Sequence, residues 1–179
     1  LAALEGAEGA LLFASGMAAI TTTMATLLSA GDHLVLVRDC YHRTREFALT
    51  FLQRWGIETT LLPAAEVASL PDLVRPETRL IFCEVPTNPY LRVADLSRVA
   101  EFARARGITT VVDSTFATPV NMQPLALGID LVIHSATKYL GGHNDVLAGV
   151  VIGAHRLLSK IEDTRGLLGG VGSPHDAYL

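Results

Sequence analysis

Short apolar runs alternate with amphipathic stretches along this chain, and that alternation limits its fold more than any other feature. Residues 11–14, 33–37, 57–62, 80–85, 108–112 and 131–133 have the length and Val, Ile and Leu content of buried strands. Helical patterns lie between them. One covers 18–28 and stops at Gly31; one runs from about 44 to 55, with Phe47, Phe51 and Leu52 on one face; a short one covers 67–74. Another is capped by Asp95, runs through Arg106 and ends at Gly107. Strand and helix in turn predict an α/β fold: a three-layer α/β/α sandwich with a mainly parallel sheet, helices on both faces. Residues 146–152 read as a further strand, close enough to the preceding one to run antiparallel. The charged stretch 155–165 reads as an exposed helix. No repeat or linker interrupts the pattern, so residues 1–179 are expected to form one domain.

In sheets of this kind ligands bind outside the carboxyl ends of the strands. The polar residues that follow the apolar runs are Ser15-Gly16, Asp39 to Tyr41, Asn88, Asp113 and Ser135 to Lys138. One pocket could hold them all. Ser15 is a good N-cap, and Gly16 lets a backbone approach a ligand closely, so the helix starting there could present free N–H groups to a phosphate. Pro86 and Pro89 bracket Asn88 and stiffen its loop. The chain has only two lysines among its fourteen basic residues. Lys138 follows a buried strand through small residues. An amine desolvated there becomes a nucleophile toward carbonyls; the alternative is a side chain that reaches back to solvent.

Composition excludes several classes. The net charge of −4 and the absence of a basic run argue against nucleic acid, and no apolar stretch is long enough to span a bilayer. Cys40 and Cys83 lack nearby His or Cys at metal-ligand spacing and read as reduced, buried residues. His134 is expected to satisfy a backbone group. His143 and Asp145 are expected to shape the loop after Lys138 and not to bind metal. With no charged-then-apolar leader, a cytoplasmic protein is expected, and the start at Leu1 without a Met and the end at Tyr178-Leu179 lead to the expectation of a piece from a longer chain.

An amine, an acid at a neighbouring strand end, an aromatic ring, an amide and a phosphate-type helix start form the set that pyridoxal 5'-phosphate needs. Lysine holds its aldehyde as an imine, a carboxylate keeps the pyridine nitrogen protonated, and N–H and hydroxyl donors bind its phosphate. The motifs Ser-Gly-Met-Ala-Ala-Ile, Asp-Cys-Tyr, Pro-Thr-Asn-Pro, Val-Val-Asp-Ser-Thr-Phe, His-Ser-Ala-Thr-Lys-Tyr and Gly-His-Asn-Asp-Val occur in that order. In this the chain resembles the Cys/Met-metabolism family of pyridoxal-phosphate enzymes, which includes cystathionine γ-synthase, cystathionine γ- and β-lyases, methionine γ-lyase and O-acylhomoserine sulfhydrylases.

The resemblance covers nearly the whole chain and implies a fold-type I large domain. It also implies roles. Lys138 would carry the cofactor and shuttle protons, Asp113 would pair with the pyridinium nitrogen, and Tyr41 would stack on the ring and help activate the incoming amine. The N–H groups of Gly16 and Met17 and the hydroxyls of Ser135 and Thr137 would bind the phosphate, and Asn88 would sit near the phenolic oxygen and the substrate carboxylate. Homodimers or homotetramers with sites between subunits follow from the same resemblance. So does elimination or replacement on a small amino-acid substrate, with Asp39-Cys40-Tyr41 closest to the synthases.

The chain departs from the family pattern in two places. His42-Arg43 stands where a Gly-Gly pair is common, and Ser114 where Asn is usual. The family's N-terminal arm and C-terminal domain, with their arginines, are not among these residues. A non-catalytic piece that binds cofactor or a partner subunit is the rival expectation. A nicotinamide-binding domain would need a Gly-x-Gly-x-x-Gly turn, which is missing.

Overall fold

The computed structural model describes residues 1–179 as one seven-stranded sheet between helical layers. In chain order the elements are α1 (Ala2–Glu5), β1 (Gly9–Phe13), α2 (Gly16–Leu27), β2 (His33–Val37), α3 (His42–Phe47), β3 (Glu58–Leu62), α4 (Leu70–Leu73), β4 (Thr78–Glu84), α5 (Leu96–Arg104), β5 (Thr109–Asp113), α6 (Thr118–Asn121), β6 (Leu131–His134), β7 (Gly149–Gly153), α7 (His155–Leu168) and α8 (Pro174–Tyr178). The strand order is β1-β7-β6-β5-β4-β2-β3. Strands β2 to β6 pair in parallel, whereas β7 runs antiparallel to both β6 and β1. Two reversals leave β1 pointing the same way as β6. The carboxyl ends of β1, β2, β4, β5 and β6 therefore share one edge.

Strand alternation divides the core in two. Phe82, Val111 and Ile133 face Ile20 and Met24 of α2 and Leu158 and Ile161 of α7. Cys83 and Val112 face Val99 and Ala103 of α5 and Leu70 of α4. The predicted exposed helix at 155–165 is thus half right: α7 buries Leu157, Leu158 and Ile161 and leaves its charges outside. Three other boundaries also move. β1 begins at Gly9 because it pairs with β7, register Gly9 to Gly153 and Phe13 to Gly149, and pairing rather than apolar content sets its start. The strand expected at 146–152 begins at Gly149. Pro71 restarts the helix expected at 67–74, so a 3₁₀ turn at Ala64–Ser69 precedes α4. After α3 the helix widens into a π turn at Ala48–Leu52; Leu52 is buried, while Phe51 stacks on Phe47 at 5.7 Å nearer the surface. Both cysteines are free and buried, as expected, and burial pushes each thiol up to about 12.

At the opposite sheet edge His33 is buried between two strands, Nδ1 2.8 Å from Thr78 Oγ1 and Nε2 2.8 Å from Thr60 Oγ1. Burial first, then the Arg75 charge, lowers its pKa from the ordinary 6.5, against opposing pulls from Glu58 and Glu77. Folding thus favours neutral His33, and the unfolded chain binds more protons. That stabilisation is present above the unfolded pKa and is lost as pH falls through the lower, folded one. Urea midpoints should fall between about pH 7 and about pH 5, and His33→Gln should make that fall shallower. An identical fall in the variant would assign the acid sensitivity elsewhere.

Candidate active site at the carboxyl edge of the sheet

A cavity of about 490 Å³ opens where these strand ends converge, within the range of cofactor pockets. Gly16, Met17, Tyr41, Asn88, Asp113, Ser135, Thr137 and Lys138 all line it. The chain's organisation accounts for each position. Ser15, extended at φ −164°, caps α2 by accepting from the Ala18 amide at 3.1 Å. The Gly16 and Met17 amides ahead of it have no hydrogen-bond partner in the chain. Gly16 is required by closeness: a Cβ there would lie 2.8 Å from Ser135 Cβ. Ser135 Oγ likewise has no partner. These unpaired donors gather between the first turn of α2 and the exit of β6, where they could hold an anion.

Thr137 differs from expectation. Its hydroxyl donates to Ala148 O at 3.1 Å and accepts from Ala148 N at 3.0 Å, stapling the lysine turn to the approach of β7. The hydroxyl must rotate before it can donate to a ligand. Lys138 lies four residues past β6, in a turn closed by Lys138 N to Ser135 O and Gly142 N to Lys138 O at 3.1 and 2.8 Å. It is exposed. Of the two readings open for Lys138, this chain takes the one in which the side chain reaches solvent, because the backbone leaves the sheet at Ser135 and carries the amine to the cavity rim.

Asp113 ends β5 and is buried. Its Oδ1 accepts from Thr115 N at 3.0 Å and Thr115 Oγ1 at 2.5 Å, while Oδ2 has no partner in the chain. Thr115 Oγ1 in turn accepts from Ser135 N at 2.8 Å, which ties the acid to the exit of β6. Burial raises the Asp113 pKa; the two Thr115 donors, then the His134 charge, oppose it. Tyr41 is the N-cap of α3, is 37% exposed, and packs edge-on against His42 at 4.7 Å. Asn88 sits in a loop closed by Thr87 N to Arg92 O and Leu91 N to Thr87 O, 2.9 and 2.8 Å, and anchored by Arg92 to buried Asp39 at 2.9 Å. His134 does not satisfy a backbone group: its Nε2 lies 2.6 Å from Glu5 Oε1 in a pair closed to solvent.

Two polar lining residues are given no part by the sequence reading, Thr115, though it lies within a quoted motif, and Glu84. Glu84 ends β4 in register with Asp113, and its Oε2 accepts from Tyr41 N at 2.6 Å. Alternation gives each acid its phase, but the facing shows only once β4 and β5 are known to be neighbours, since acids at the same phase of adjacent parallel strands face the same side.

The pattern matches known proteins along its full length. A family model, Cys/Met metabolism PLP-dependent enzyme, matches residues 1–179. The chain belongs to this family. It is 48% identical to chloroplastic cystathionine gamma-synthase 1 of Arabidopsis thaliana, over 100% of this chain and 32% of that protein. It is 44% identical to L-methionine gamma-lyase of Pseudomonas putida, over 100% of this chain and 46% of that protein. The crystal structure of metB from Corynebacterium glutamicum superposes with a TM-score of 0.95 at 39% identity, over 99% of this chain and 46% of that one. The chain thus spans about a third to a half of the length of these relatives, and its fold is that of the fold-type I pyridoxal-phosphate enzymes. The residues present fit that cofactor: unpaired donors for a phosphate, a buried acid with a free oxygen for a ring nitrogen, an aromatic cover and an accessible amine.

Proposed function

We propose that residues 1–179 are the cofactor-binding large domain of a longer enzyme that performs elimination or replacement at Cβ or Cγ of sulfur-linked or O-acylated amino acids. The favoured reaction joins an O-acylhomoserine to cysteine, as a cystathionine γ-synthase does. The observation that carries the reading is the convergence of Lys138, Asp113 Oδ2, Tyr41 and the unpaired Gly16 and Met17 amides on one cavity. The identity to the Arabidopsis synthase supports the choice of reaction. Lyase or sulfhydrylase chemistry is the alternative, favoured by the identity to the Pseudomonas lyase.

When bound, pyridoxal phosphate supplies an electron sink for negative charge at the substrate Cα. The chain's residues do the rest. Lys138 Nζ would hold the aldehyde carbon and would serve as the base that moves the substrate's Cα proton. Asp113 Oδ2 would keep the ring nitrogen protonated. Gly16 N–H, Met17 N–H and Ser135 Oγ would bind the phosphate, joined by Thr137 Oγ1 if it turns from Ala148. Tyr41 would cover the ring, and Asn88 would orient the phenolic oxygen and the substrate carboxylate. Two unpaired, buried thiols suit a reducing compartment, which favours the cytoplasm. The exposed apolar side chains of Leu49, Phe51 and Trp55 favour a homodimer or homotetramer.

Borohydride reduction of the full-length protein with pyridoxal phosphate tests the reading. A pyridoxyl label is expected on Lys138, not on Lys160, and should vanish in Lys138→Ala. Label on Lys160 alone, or none, overturns it. Product assays with O-acylhomoserine plus cysteine, against cystathionine alone, then separate synthase from lyase.

A further inference from the structure

Glu84 is the one buried ionisable group lining the cavity that the resemblance leaves without a part. Its Cα pairs with that of Asp113 across β4 and β5, and both side chains project from the same face of the sheet into the same cavity. Two carboxylates so placed and so buried cannot both be ionised cheaply, so the pair keeps a proton. The surroundings decide which residue holds it. Asp113 accepts two hydrogen bonds from Thr115 and feels His134 behind it. Glu84 accepts one, from the Tyr41 amide. Fewer donors to its charged form leave Glu84 as the acid.

Taking the cavity as the pyridoxal-phosphate site proposed above, we propose that Glu84 is a positioning residue: it anchors the Tyr41 amide and keeps the shared proton, leaving Asp113 as the anion that meets the cofactor's ring nitrogen. Burial, then the Asp113 charge, pushes the Glu84 carboxyl up to about 8, against the pull of the Tyr41 amide. The other groups around it do not take over the role. Cys40 is held near 12, and Met17 and Ile20 on α2 carry no charge; the Lys138 amine and the Tyr41 phenol share the cavity. Covering the cavity with an aromatic ring removes water from Glu84 and so disfavours its charged form. Binding therefore strengthens the hold on the Glu84 proton, and above about pH 8 the unbound protein releases that proton to water.

The test uses full-length protein with Lys138→Ala, so that imine formation does not enter, and measures the dissociation constant of pyridoxal phosphate by calorimetry at about pH 7 and about pH 9. Adding Glu84→Gln preserves an acceptor for the Tyr41 amide and removes the titration; adding Glu84→Ala removes both. Comparison between variants at each pH cancels the cofactor's own titrations. The Glu84 protein is expected to weaken relative to Glu84→Gln by roughly threefold to tenfold between the two pH values. Glu84→Ala is expected to bind more weakly than Glu84→Gln at both, through loss of the Tyr41 anchor. A constant ratio between Glu84 and Glu84→Gln, or equal affinities for Glu84→Gln and Glu84→Ala, overturns the proposal. If wild type still takes the borohydride label at Lys138, the cofactor reading survives that failure; if wild type takes none, both fall.

Discussion

Gly149→Ala is expected to cost about 3 kcal/mol or more and to loosen the proposed phosphate cradle. The added Cβ would lie 2.2 Å from Ser15 O, 2.5 Å from Ser15 C and 2.8 Å from Gly16 Cα, all of them backbone. A crowded side chain can rotate away, but here the whole turn from β1 into α2 must move. The topology explains the contact: β7 runs against β1 and β6, so its first residue lies at the edge where the other strands end, directly beneath the N-cap of α2. Moving Ser15 and Gly16 away would also displace the unpaired Gly16 and Met17 amides. Unfolding midpoints and pyridoxal-phosphate retention on dialysis should therefore fall together. Gly166→Ala is the control. It lies within α7 with nothing within 4 Å of its added Cβ, so a gain of about 0.5–1 kcal/mol is expected there. Equal effects at the two positions would show that contact with Ser15 does not govern Gly149.

The contrast between these glycines marks what a sequence can disclose here. The strands were legible because four central ones are buried on both faces and read as continuous apolar runs. The rule that ligands gather at strand carboxyl ends then brought Tyr41, Asn88, Asp113 and Lys138 to one edge without any knowledge of strand order. Features set by pairing across the chain were not legible. The start of β1, the need for glycine at 149 and the facing of Glu84 toward Asp113 depend on which strands are neighbours. For Lys138 the sequence leaves burial and exposure both open, and the backbone decides: Lys138 belongs to the turn and not to β6, so apolar neighbours in sequence do not bury it. Phe51 and Leu52, expected on one face with Phe47, part company because the π turn changes the helical phase.

Glu5 and His134 show the same limit at its largest energetic scale. They stand 129 residues apart, yet Glu5 Oε1 meets His134 Nε2 at 2.6 Å, with side-chain exposures of 0% and 1%. Glu5 Oε2 and His134 Nδ1 have no other partner. Each residue is thus the sole hydrogen-bonding support of the other, and the pair fastens α1 to the last residue of β6, next to the lysine turn. Removing one member strands the other in a closed site, so Glu5→Ala is expected to cost about 3–5 kcal/mol, far above the ~1 kcal/mol ceiling of a surface pair. Replacing both by leucine removes the desolvation problem together with the attraction, and should recover most of that loss. Equilibrium unfolding of the two single variants and the double variant measures this as a cycle. Single losses below about 1 kcal/mol would mean that water reaches the pair. The pair also bears on the site, because His134 opposes the burial that raises the Asp113 pKa. His134→Leu should therefore weaken cofactor retention even where the fold survives, whereas Glu5→Ala, which leaves the imidazole in place, should act mainly on stability.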